Sequence, residues 1–181
     1  MTEAKKKEQN GRQKIDGHVL LKRGFDILLI GAMIYAALMA FGVIRRGGHF
    51  AEGGTAPAFT VRAIPDGKEL KLADFKGKPL LINFFSTDCP SCRTELPHIQ
   101  EISEQAGDRL EVLVISNDAP ATLVAYLRQE SITLPVAYDQ GAAHRAYNVD
   151  TIPYLVVIDK EGHIQGDFVG GVKWSDVEPW L

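Results

Sequence analysis

Both cysteines of this 181-residue chain fall in one short segment, Cys89-Pro90-Ser91-Cys92. Two thiols at this spacing form a two-electron couple, in which one attacks a disulfide and the other resolves the mixed disulfide that results. The segment follows an apolar run of strand length and opens a stretch with helical spacing. At a helix N-terminus the unpaired N–H groups and the dipole favour a thiolate, so Cys89 is the expected nucleophile and Cys92 the resolving thiol. Pro90 suits the first helical position, where a missing N–H costs nothing. Three other readings compete. Half a zinc site would need two more ligands from His98, His144 and His163, and no second C-x-x-C or H-x3-H pattern supplies them. An inert disulfide at this spacing closes almost no loop and would stabilise little. Two unrelated buried thiols are the third reading. The redox pair accounts best for the spacing and the placement, and no metal or separate cofactor is expected.

The elements that must hold this pair can be read from periodicity. Residues 79–85 (PLLINFF) have the continuous apolar character of a central buried strand. Residues 90–105 show a helical face through Leu96, Ile99 and Ile102, with Pro97 expected to kink it. Further strands are expected over 110–116 (LEVLVIS), 134–138 and 154–159 (YLVVID), separated by helices over 121–130 and 141–147. Hairpins are expected around Pro65-Asp66-Gly67 and around Lys160-Glu161-Gly162. Residues 74–78 read as a polar loop, and Ser175 with Glu178 has capping-box spacing for a short last helix. Strand–helix alternation argues for parallel pairing, and the hairpins add antiparallel edges. The expected unit is a mixed-sheet α/β domain.

The segment Asn83-Phe84-Phe85-Ser86-Thr87-Asp88-Cys89-Pro90-Ser91-Cys92-Arg93-Thr94-Glu95-Leu96-Pro97 resembles the active-site segment of membrane-anchored thioredoxin-like proteins of the TlpA/ResA/CcmG group. Ala56-Pro57-Ala58-Phe59, the loop from Leu72 to Pro79, and Thr151-Ile152-Pro153-Tyr154 resemble that group's domain entry, pre-strand loop and cis-proline loop. The resemblance spans residues 57–170 and implies a thioredoxin-like fold, a central mixed sheet flanked by helices with an N-terminal β-hairpin extension. It implies a thiol–disulfide oxidoreductase in which Pro153 is cis and sets the Ile152 backbone against Cys89. A substrate strand would bind there, beside Pro90. Glu95 matches the group's active-site glutamate and would help to move the Cys92 proton; the other reading is a solvated helix acid. Asn83 stands where thioredoxin keeps a buried acid, which shifts proton handling towards Glu95. Asp88 replaces the group's usual bulky apolar residue, and a carboxylate there is expected to oppose thiolate formation at Cys89. The chain after Trp174 is shorter than the closing helix of that group.

Composition sets the surroundings. Hydrophobic residues make up 45% and charged residues 24%, which excludes a disordered chain, and the net charge of -3 offers no match for nucleic acid. Residues 1–24 carry seven Lys/Arg against three acids, whereas residues 58–181 carry eleven against eighteen. Between them, residues 25–44 hold one charge, Asp26, in twenty residues, enough to span about 30 Å as a helix. This reads as a transmembrane signal anchor, with the basic tail held in the cytoplasm and the rest exported. Residues 45–57 read as a glycine-rich linker and 58–181 as the thioredoxin-like domain.

Together these features predict a single-pass protein of the cytoplasmic membrane whose catalytic domain lies in the periplasm or extracytoplasmic space. It would reduce disulfides of exported proteins by dithiol–disulfide exchange, as the resemblance implies for apocytochrome c, and be recharged by a membrane thiol-electron donor. The alternatives are a binding or chaperone module on the same scaffold, or a thiol peroxidase, whose Pro-x-x-x-Thr-x-x-Cys pattern is absent.

Overall fold

A computed structural model of the protein describes residues 28–35 and 50–181. The chain divides into two compact units, Met1–Arg45 and Arg46–Leu181. In the first, residues 28–35 form a helix (α1) on which Leu28, Ile30, Met33 and Tyr35 are exposed. The remainder of the expected anchor 25–44, the basic tail 1–24 and positions 45–49 of the linker lie outside the described residues. Among the described residues no helix is long and apolar enough to cross a membrane.

The second unit is built on a seven-stranded sheet. Its elements run β1 (Thr60–Ile64), β2 (Glu69–Lys71), β3 (Leu80–Phe84), α2 (Pro90–Ala106), β4 (Glu111–Ser116), α3 (Pro120–Gln129), β5 (Val136–Tyr138), α4 (Ala142–Ala146), β6 (Tyr154–Ile158), β7 (Ile164–Val169) and α5 (Trp174–Val177). The strand order is β2-β1-β5-β4-β3-β6-β7. Strands β3, β4 and β5 are mutually parallel, while β6 is antiparallel to β3 and β1 antiparallel to β5. The β1–β2 and β6–β7 hairpins close the two edges. This is a thioredoxin-like α/β fold with helices on both sides of a mixed sheet.

β3 is an interior strand, with all five of its residues buried and a partner on each side, β4 and β6. Leu81 and Phe85 face Leu96, Ile99 and Ile102 of α2 in one apolar layer. Ile82 and Phe84 face Tyr147, Phe59 and Ala143 in the other. Burying an aliphatic or aromatic side chain of this size contributes roughly 1.5–3 kcal/mol, so these layers fix where α2 begins relative to β3.

Several local details differ from the sequence expectation. Residues 53–56, assigned to the linker, are hydrogen-bonded to the β6–β7 hairpin through Gly53 N–H to Ile164 O (2.8 Å) and Ala56 N–H to Gly162 O (2.9 Å). The loop after β2 contains a 3-10 turn, Leu72–Phe75, held by the Asp74 carboxylate on the Lys71 N–H. α2 runs unbroken through Pro97. The last helix starts at Trp174, so its reach-back acid is Asp176, which accepts the Lys173 N–H at 2.9 Å, and not Glu178.

Candidate active site

Cys89 and Cys92 form a disulfide, with their Cα atoms 5.3 Å apart. Cys89 is the N-cap of α2, with extended backbone angles, and Pro90 occupies the first turn, where it needs no N–H. The Cys92 N–H donates to Cys89 Sγ at 3.2 Å, and the Ser91 hydroxyl lies 3.4 Å from the same sulfur. The first turn of α2 holds no acid, so its dipole acts unopposed on that sulfur from within the helix. The two cysteines differ in access: Cys89 is half-buried and Cys92 only 1% exposed. A partner therefore reaches Cys89 first.

The Ile152–Pro153 peptide is cis, and the Ile152 carbonyl oxygen lies 3.8 Å from Cys89 Sγ. A thiol at that position has an acceptor to hand. The cis-proline loop is braced by the Gly170 N–H, which donates to Pro153 O at 2.9 Å. Beneath it the Tyr154 hydroxyl donates to Asp167 Oδ2 at 2.6 Å, and burial followed by the Asp167 carboxylate pushes that phenol far above its ordinary range.

Glu95 is 8% exposed, so it is no solvated helix acid. Its Oε1 accepts the Val172 N–H at 2.7 Å. Gly171 leaves room for the carboxylate: a Cβ there would stand 2.9 Å from Glu95 Oε2. One short loop, 170–172, thus touches both the cis-proline segment and the acid of α2. Asn83 is 1% exposed in β3, and among the described residues its Nδ2 has no hydrogen-bond partner. Asp88 is exposed beside Cys89, and its N–H donates to Ser86 Oγ at 3.2 Å.

Sequence reasoning missed Asp118. Its carboxylate, in the β4–α3 loop, accepts the Thr87 N–H at 2.6 Å and the Ser86 hydroxyl at 3.1 Å. The Asp118 N–H in turn donates to Ser116 Oγ. This clamp holds the turn that delivers Cys89 to the helix. The one sequence signal was an acid two residues after the end of a parallel strand next to β3, where loops gather around a site. Arg93 was also passed over; it pairs with Glu130 at 3.0 Å and lies over the Tyr126 ring, joining α2 to α3.

The three histidines weighed as metal ligands are separated. His98 is on α2 beside Glu101, His144 on α4 against Asp139, and His163 near Asp159. Among the described residues no group of three or more His, Cys, Asp or Glu gathers to hold a metal ion.

The chain is similar to proteins of known type over most of this unit. The model of the AhpC/TSA family matches residues 53–166. A thiol-disulfide oxidoreductase ResA of Bacillus thuringiensis subsp. konkukian is 32% identical over 133 residues, 71% of this chain and 76% of that protein. The thioredoxin-like protein YneN of Bacillus subtilis is 29% identical over 134 residues, 72% of this chain and 78% of that protein. A crystal structure of a thiol:disulfide interchange protein of the thioredoxin family from Chlorobium tepidum superposes with a TM-score of 0.61 at 30% identity, covering 70% of this chain and 92% of that one. With a cysteine pair at the N-terminus of α2 facing a cis-proline loop in a thioredoxin-like sheet, the chain belongs to the AhpC/TSA family as a thioredoxin-like thiol–disulfide oxidoreductase of the ResA type.

Proposed function

We propose that this oxidoreductase works outside the cytoplasm, tethered by residues 25–44, and that it reduces disulfides in exported proteins. Apocytochrome c, with its haem-attachment cysteines, is the substrate that the resemblance favours. The observation that carries the catalytic part is the seating of Cys89 Sγ at the start of α2, 3.8 Å from the Ile152 carbonyl. The tether reading rests on the twenty-residue apolar stretch behind a tail with seven basic residues.

The reaction balances as two exchanges. The Cys89 thiolate attacks one sulfur of the substrate disulfide, forms a mixed disulfide and expels the other sulfur, which takes up a proton. Cys92 then loses its proton and attacks Cys89 Sγ, and the first substrate sulfur leaves as a thiol. The substrate gains two electrons and two protons, and the Cys89–Cys92 disulfide remains. Glu95, buried one turn beyond Cys92, is placed to receive the Cys92 proton. A dithiol donor on the membrane side returns the pair to the reduced state by the same exchange in reverse, and the tether keeps the domain near that donor.

The test is the equilibrium of the full-length chain, held in detergent micelles, against glutathione or dithiothreitol. A reduction potential near or below about -270 mV supports a reductant, and one approaching about -120 mV makes the protein an oxidant instead. Protease accessibility in intact and opened cells tests the tether: cleavage of the 58–181 region only after the cytoplasm is opened would overturn it.

A further inference from the structure

Asn83 Nδ2 is a buried side-chain donor without a hydrogen-bond partner among the described residues. Leaving such a donor unpaired forfeits its hydration with nothing in return, and native interiors seldom tolerate it without a use for the group. Strand geometry says where it faces. Alternate residues of a strand share one side of the sheet. Leu81 and Phe85, the neighbours two positions away on either side, pack in the same layer as Cys92, Leu96, Leu155 and Val172. Phe85 continues the ladder of β3 through its N–H to Ile115 O, so the alternation holds across Asn83. The unpaired donor therefore lies in the interior layer that holds the resolving sulfur. In the disulfide, Cys92 Sγ is bonded to Cys89 and is a weak acceptor. Once reduced, it is a thiol or a thiolate in an apolar layer, where a donor is worth most.

We propose that Asn83 is the hydrogen-bond donor for the reduced Cys92 sulfur: its carboxamide is unpaired in the disulfide and pairs when the disulfide opens. An amide neither takes nor gives a proton at ordinary pH, so Asn83 stabilises the sulfur and leaves proton transfer to Glu95. The arrangement favours the dithiol state, because the orphaned donor penalises the disulfide and the new bond stabilises the reduced form. It rests on the exchange chemistry proposed above and adds to it a specific source of redox tuning.

The test uses the full-length chain with nitrogen-15-labelled asparagine. A trialkylphosphine reduces the disulfide directly: it supplies two electrons, water supplies two protons, and the phosphine leaves as its oxide. Reduction should shift the Asn83 side-chain amide protons downfield and slow their exchange with solvent. In parallel, Asn83→Leu should favour the disulfide by about tenfold over the unsubstituted chain, which is about 30 mV for a two-electron couple. An Asn83 amide signal that is the same in both redox states overturns the proposal, and so does an Asn83→Leu equilibrium within twofold of the parent. Should Asn83→Leu not fold, the amide signal of the unsubstituted chain decides alone. A chain that the phosphine reduces but that exchanges with no dithiol or protein disulfide overturns the functional reading, and the amide signal still decides the role of Asn83.

Discussion

The Glu95 carboxylate accepts the Val172 N–H at 2.7 Å across 77 residues of chain, and the adjacent Gly171 leaves the carboxylate the space it occupies. The loop that makes this bond also holds the cis-proline segment, through the Gly170 N–H on Pro153 O. The acid of α2 and the cis-proline loop are thus connected by three consecutive backbone positions.

Two substitutions separate the roles of this contact. Glu95→Ala leaves the Val172 N–H buried without its charged acceptor and should cost roughly 2 kcal/mol of stability. Gly171→Ala places a methyl group 2.9 Å from Glu95 Oε2, and the flexible end of the side chain gives way. Its stability should fall by about 1 kcal/mol or less, while disulfide-reducing turnover falls and its pH profile shifts. Chemical denaturation and turnover at several pH values check both; a Gly171→Ala protein with an unchanged pH profile removes Glu95 from proton transfer.

Asp118 should act as the anchor of the turn before Cys89. Asp118→Ala strips the Thr87 N–H of its partner, and Thr87 is only 8% exposed, so a loss of roughly 1–3 kcal/mol is expected. Hydrogen exchange at the Thr87 amide should accelerate by far more than exchange in β6. Equal protection at Thr87 in both proteins would show that the clamp is incidental.

Asp139 sets an acid limit to stability. Burial alone would raise its pKa, but hydrogen bonds from the His144 ring and from the His144 and Ala143 backbone outweigh this and hold the carboxyl below its ordinary value of 3.8. A group with a lowered folded pKa contributes stability that is complete above the unfolded value and is lost as pH falls through the folded one. Stability of the disulfide form should therefore decline as pH falls below about 3.8, and Asp139→Asn should flatten that decline. Urea titrations from pH 5 to pH 2.5 compare the slopes; parallel slopes count against the assignment.

Cys92→Ser should trap substrate on Cys89 as a stable mixed disulfide, because no second thiol remains in the chain to resolve it. Cys89→Ser should trap nothing, since Cys92 is 1% exposed. Non-reducing electrophoresis with mass spectrometry reads both, and trapping by Cys89→Ser at a similar yield reverses the assigned roles. In the Cys92→Ser background, Asp88→Asn should lower the Cys89 pKa by removing an exposed like charge beside the thiolate, an effect that rising salt should diminish; a thiolate-absorbance titration that does not move rejects it.

The parts of this protein that could be read in advance are those encoded over short spans of chain. Cys89 and Cys92 stand three residues apart, and the apolar run of β3 beside the periodic face of α2 places them at a helix start. Strand and helix order follow from alternation, and the Lys160-Glu161-Gly162 turn from its own residue types. The burial of Glu95 was not legible, because its polar type and helical position suit a solvated face equally well. Nor was Asp118, whose partners lie 31 and 32 positions earlier. The Cys89–Ile152 approach joins residues 63 apart, and Glu95–Val172 residues 77 apart. No local pattern specifies such pairs. They exist because β3 is inserted between β4 and β6, so that the loop after β4, the cis-proline loop before β6 and the turn after β7 all converge on the first turns of α2.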